Sequence, residues 1–147
     1  MMHRSLVLIL AILLSTAGLA LPTRSVESEA SRLYAAPSKT GNGDCESWQN
    51  ACTLQTALTG ASAGDEIWVA AGTHKPGSNR TDTFQLKSGV AVYGGFAGNE
   101  GSLDERDFVL NETILSGDIG TQNDASDNAY HVVTSSGTDD TTVLDGF

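Results

Sequence analysis

The side chains with the greatest capacity for chemistry gather in the second half of the chain. Asp118, Asn123, Asp124, Asp127 and Asn128 crowd one polar stretch. Hard oxygen donors at that density suit Ca²⁺, which takes roughly six to eight oxygens. The stretch lacks both the Asp-x-Asp-x-Asp-Gly loop and the nonapeptide calcium repeat, so its plainer reading is a solvated turn. No resident cofactor or metal is expected, calcium at these five residues being the one candidate. Asp139-Asp140 is an adjacent carboxylate pair, the kind that supplies acid and base on either side of a glycosidic bond. Gly137-Thr138 and Thr141-Thr142 flank it, however, and place it in a turn. Asp104-Glu105-Arg106-Asp107 concentrates charge, and Arg106 can either grip a carboxylated sugar with two prongs or neutralise its acidic neighbours. A lyase would need a base of lowered pKa, and Lys39, Lys75 and Lys87 have no evident means of desolvation. His74 and His131 have no Cys or Glu at ligand spacing and read as sheet or turn residues. Trp48, Trp68, Tyr93 and Phe96 can stack on sugar rings or flank the core. No catalytic residue emerges, and the ligand-binding residues stay unknown.

The elements that must carry these residues are short. Leu54, Ala57, Leu58 and Ala61 fall at i, i+3, i+4 and i+7, the stripe of an amphipathic helix over 53–61. From Gly64 onward the period is two: Ile67 and Val69, Phe84 and Leu86, then Val90 and Val92, with later runs at 113–116, 130–134 and 141–147. Val92-Tyr93-Gly94-Gly95-Phe96 is echoed by Val143-Leu144-Asp145-Gly146-Phe147. Such strand-turn units bury their apolar faces only by stacking on one another. Val69 to Val92 is 23 positions, about one turn of a parallel solenoid. Val92 to Val143 is 51, which reads as two turns with looped-out insertions at 95–111 and 117–129. A sandwich would show turn signals every ~8–12 residues, and these runs are shorter and less even.

The N-terminus sets the compartment. His3 and Arg4 precede an apolar run from Leu6 to Leu14, and Gly18-Leu19-Ala20 offers small residues for cleavage. Residues 1–20 therefore read as a signal peptide, too short for the ~20 apolar residues of a membrane span. No later segment is apolar enough to span, so no transmembrane segment is expected after signal removal. Residues 21–32 read as a linker. Cys45 and Cys52 flank Trp48, and in an exported chain they read as a disulfide. The formal net charge is −10, and loss of Arg4 with the leader makes it one unit more negative. That balance excludes nucleic acid and acidic lipid as partners.

The run Gly64-Asp65-Glu66-Ile67-Trp68-Val69-Ala70-Ala71-Gly72-Thr73 resembles the first coil of right-handed parallel β-helix proteins, the pectin-lyase-like superfamily. Residues 84–90, 92–96 and 113–118 extend the likeness, and 45–55 is similar to the N-terminal cap of large exported bacterial proteins of polymorphic outer-membrane type. The resemblance spans about 34–147. It implies an all-β fold, the N-terminal part of a right-handed parallel β-helix with a short α-helical cap. Residues 33–63 would be that cap, with the Cys45–Cys52 disulfide and the helix. Residues 64–147 would be the first coils, truncated at the C-terminus, the opening fragment of a longer protein.

The expected function is an exported or surface-displayed structural or adhesive module, secreted or held at a bacterial cell surface. Carbohydrate or a cell-surface protein is the expected partner. The alternative is the N-terminal part of a polysaccharide lyase or glycoside hydrolase whose active site lies beyond these residues.

Overall fold

The computed structural model describes residues 30–147. The expected signal peptide at 1–20, and the linker up to residue 29, lie outside the described residues. Alternation builds the strands. In β2 (Glu66–Ala70), Ile67 and Val69 enter one apolar core while Trp68 points to the opposite face. Parallel pairing sets β2 between β1 (Arg32–Ala35) and β5 (Ala91–Phe96), with β8 (Val143–Asp145) beyond β5. Two smaller parallel sheets join β3 (Gly72–His74) to β6 (Thr113–Leu115), and β4 (Phe84–Gln85) to β7 (Val133–Thr134).

Helix α1 (Leu54–Gly60) follows the stripe read from sequence, burying Leu54, Ala57 and Leu58, with Ala61 buried just past its end. Thr53 caps it by accepting the Thr56 N–H at 3.3 Å. Lys87 closes the other end, its ammonium donating to the carbonyls of Thr59 at 2.8 Å and Ala61 at 2.9 Å. The two buried leucines contribute about 2 kcal/mol each through apolar burial.

The expected all-β right-handed parallel β-helix is corrected. The described residues form a small mixed α/β domain of one helix and three small parallel sheets, with no closed barrel and no solenoid. Physically, the chain has no common period. Leu33 pairs with Ile67, Ile67 with Val92 and Val92 with Leu144, so successive sheet neighbours are 34, 25 and 52 residues apart. The 51-residue interval taken for two turns is a single step, because β5 and β8 are direct neighbours. The segment expected as a separate cap also gives its first strand, β1, to the main sheet.

The echoed phrase does mark adjacent strands, but Val92 faces Leu144 rather than Val143. On its other side β5 carries a bulge, for Trp68 pairs with Tyr93 and Ala70 with Phe96. Gly94 and Gly95 supply it. Gly95 sits at φ +92, where an added Cβ would come within 2.9 Å of the Phe108 backbone.

The outer edge of β1 is closed by the joined Cys45–Cys52 segment. Tyr34 N–H donates to Cys45 O at 2.8 Å, Ala36 N–H to Cys52 O at 2.8 Å, and Cys52 N–H to Tyr34 O at 3.0 Å. A disulfide is at home in an oxidising environment. Replacing both cysteines by serine is expected to lower unfolding free energy by about 2 kcal/mol through loop entropy, read by urea denaturation. An unchanged midpoint would show that the main-chain bonds alone hold this edge.

Candidate functional site

The aromatic residues form a second apolar layer on the outer face of the main sheet. Register stacks Tyr34, Trp68 and Tyr93 in one row. Trp68 lies parallel to Phe96, centroids 4.6 Å apart, while Tyr34 meets the edge of Trp48 at 4.8 Å. The Arg32 guanidinium sits 3.7 Å over the Trp68 ring, and Glu66 accepts the Trp68 indole N–H at 3.0 Å. Trp68 and Phe96 are wholly buried, so neither can offer a face to a sugar.

Glu100 locks this layer. Its carboxylate accepts backbone N–H groups from Ala97, Gly98 and Asn99, and its carbonyl accepts the Trp48 indole N–H at 3.0 Å. Burial pushes its pKa up, but the amide donors at Ala97, Asn99 and Gly98 outweigh that and hold it below the ordinary value. Asp65 is held in the same way at the start of β2. Burial raises its pKa, and the Ser62 and Ser31 amides with the Ser31 hydroxyl bring it down. His74 is 2 % exposed, with Nε2 2.9 Å from the Ala70 carbonyl. Burial depresses its pKa, and the carbonyl only partly offsets this.

The charged run at 104–107 does something sequence did not suggest. Arg106 leaves its acidic neighbours and pairs with Asp145 on β8, its guanidinium 5.1 Å from the Tyr93 ring centre. Its Nη1 is buried without a partner. Asp107 caps the next turn, accepting N–H from Val109 and Leu110 at 3.0 Å each. That cap holds Phe108, Val109 and Leu110 outward, 60, 78 and 81 % exposed. Three consecutive large apolar residues displayed on a fixed turn form the most conspicuous contact feature of the described surface. Loop 95–111 was marked as a surface in the sequence, but its apolar tip was not singled out. The signal was there in Asp107, a turn-capping residue placed just before the three.

The calcium candidates separate. Asp118 accepts the Asn123 N–H at 3.0 Å, Asp127 the Thr121 N–H at 2.7 Å, and Asp124 the Ser126 N–H at 2.9 Å. Asp118 Oδ1, Asp127 Oδ1 and Asn128 Oδ1 are buried without partners, whereas Asn123 and Asp124 face solvent. Among the described residues, no group of three or more His, Cys, Asp or Glu side chains is assembled to hold a metal. Asp139 is exposed and accepts from the Thr141 hydroxyl and amide, which lower its pKa. Asp140 is exposed beside it. A groove of about 380 Å³ beside α1 is lined in part by Thr53, Gln55, Thr56, His74 and Lys75. It contains no carboxylate, and the recorded bond of its imidazole is to Ala70. Among the described residues, no helix is long and apolar enough to cross a membrane.

No protein-family profile, curated protein or solved structure matches the chain. The pectin-lyase-like resemblance therefore has no support from known relatives.

All three internal shifts act in one direction with pH. The folded pKa of His74 lies below its ordinary 6.5, so protonation favours the unfolded chain as pH falls beneath that value. Glu100 and Asp65, also depressed, contribute stability above their ordinary range that is lost as pH drops through their folded values. Chemical denaturation is expected to show stability falling from pH 7 to pH 5 in the native chain and a flatter profile in His74→Gln. Glu100→Gln should cost about 2 kcal/mol at pH 7 through lost charge-assisted bonds. A flat native profile would remove the assignment to His74.

Proposed function

We propose that this chain is an exported structural or adhesive module that acts by contact, displayed outside a bacterial cell. The observation that carries this reading is the exposed turn Phe108-Val109-Leu110, held outward by Asp107. Apolar side chains fixed in water are costly unless they have something to touch. The polar groups best suited to catalysis are spent on structure. Asp65, Glu100 and Asp107 bind backbone amides, Lys87 ends a helix, and Arg106 pairs with Asp145. The disulfide is consistent with secretion. The partner class is a carbohydrate or a cell-surface protein. Of the aromatic row, Tyr34 and Tyr93 are only half-buried and can border such a contact.

The test pairs the native chain with a triple variant, Phe108→Ser, Val109→Ser and Leu110→Ser. Binding to glycan arrays and to intact cells is expected to weaken about tenfold or more in the variant, as for removal of a contact hot spot. Melting should be unchanged, since these side chains are exposed. Equal binding by both chains would reject the assignment. So would unsaturated products released from polygalacturonate, alginate or chondroitin, which would identify a lyase instead.

A further inference from the structure

The two ends of the sheet stack are treated differently. At the β1 end, main-chain bonds from the disulfide segment close the strand edge, and α1 packs over β1, β2 and β4. At the other end β8, β6 and β7 each have a single strand neighbour. All seven large hydrophobic residues that are substantially exposed in the described region belong to this later part of the chain. Beyond the 108–110 turn they are Ile114, Tyr130, Leu144 and Phe147. Leu144 pairs with Val92, which is 1 % exposed, yet is itself 40 % exposed, so the core-facing row of the main sheet runs out into solvent here.

We infer that this end is a self-association surface, on which a second copy of the chain docks β8 against β8 about a two-fold axis. This deepens the contact reading above and rests on it. Three observations select a second copy. Val143 N–H donates inward to Val90 O at 3.2 Å. By the alternation of a parallel ladder, Leu144 then directs its own N–H and C=O to the open side. Two such edges related by a two-fold axis run antiparallel and satisfy each other without any foreign sequence. The seven exposed residues present on the order of 800 Å², which is what each partner gives to a standard interface. Finally, Asp145, the one charged residue of β8, is already paired with Arg106, which removes a like-charge clash from the strand that would lie at the axis.

The chain carries −10, so two copies repel and salt should assist their meeting. Sedimentation velocity of the purified chain is expected to show a monomer–dimer equilibrium that tightens several-fold as sodium chloride is raised. Leu144→Lys places a charge on the edge and should weaken dimerisation about tenfold or more, with circular dichroism unchanged. Phe147→Lys is the second variant, informative even if the first fails to fold, because Phe147 lies beyond the last strand. Hydrogen exchange at the Leu144 amide should slow in the dimer. A chain that stays monomeric at about 100 μM in high salt, well above the affinity of a standard interface, overturns the inference. So does a dimer indifferent to both substitutions. Neither result touches the contact reading, because binding of glycans or cells through 108–110 is measured separately.

Discussion

A parallel strand of two to six residues cannot sustain itself, because half of its main-chain groups point away from any one neighbour. Whatever closes those groups decides where the fold can exist. Here the closure is uneven. β2 and β5 each lie between two strands, and β1 has β2 on one side and the disulfide segment on the other. Helix α1 then seals the core beneath with Leu54, Ala57 and Leu58, and the aromatic layer seals the opposite face of the same sheet. The described chain is thus built outward from one doubly covered sheet, and order of covering falls off toward β8.

The acidic composition takes on meaning in that setting. Sequence alone offered the carboxylates as candidates for catalysis or calcium. In the fold, several of them organise backbone instead. Asp65 ties Ser31 to Ser62 and so aligns the starts of β1 and β2. Glu100 gathers three consecutive amides and pins the loop that covers Trp68. Asp107 shapes the apolar turn. Each exchanges hydration of a carboxylate for short bonds to N–H groups that had no other partner nearby, a trade that favours the ionised form.

What was legible in the sequence is what local chemistry determines. The stripe at Leu54, Ala57, Leu58 and Ala61 gave the helix, the period of two gave β2 and β5, and the compartment argument gave the Cys45–Cys52 pair. Even the echo between 92–96 and 143–147 was real, since those segments are neighbours. The global arrangement was not legible. Which strands pair across 25, 34 or 52 residues depends on the loops between them, and nothing in a strand of three residues records its partner. A bulge at Gly94-Gly95 breaks the step between equivalent positions, and a regular period assumed across it misplaces everything beyond. The polar contacts were hidden for a related reason. Arg106 has four charged residues within its own stretch of sequence, yet its recorded partner is Asp145, 39 positions away.

Lys87 illustrates how much one such long-range contact can carry. Its ammonium is held between two carbonyls at the end of α1, while Lys39 and Lys75 stand in solvent. Amine reagents will discriminate among the three, acylating Lys87 last and only as quickly as the helix lifts from its seat. Labelling at that one nitrogen is therefore a clock for the breathing of the covered end, a motion that shape and overall melting temperature do not report.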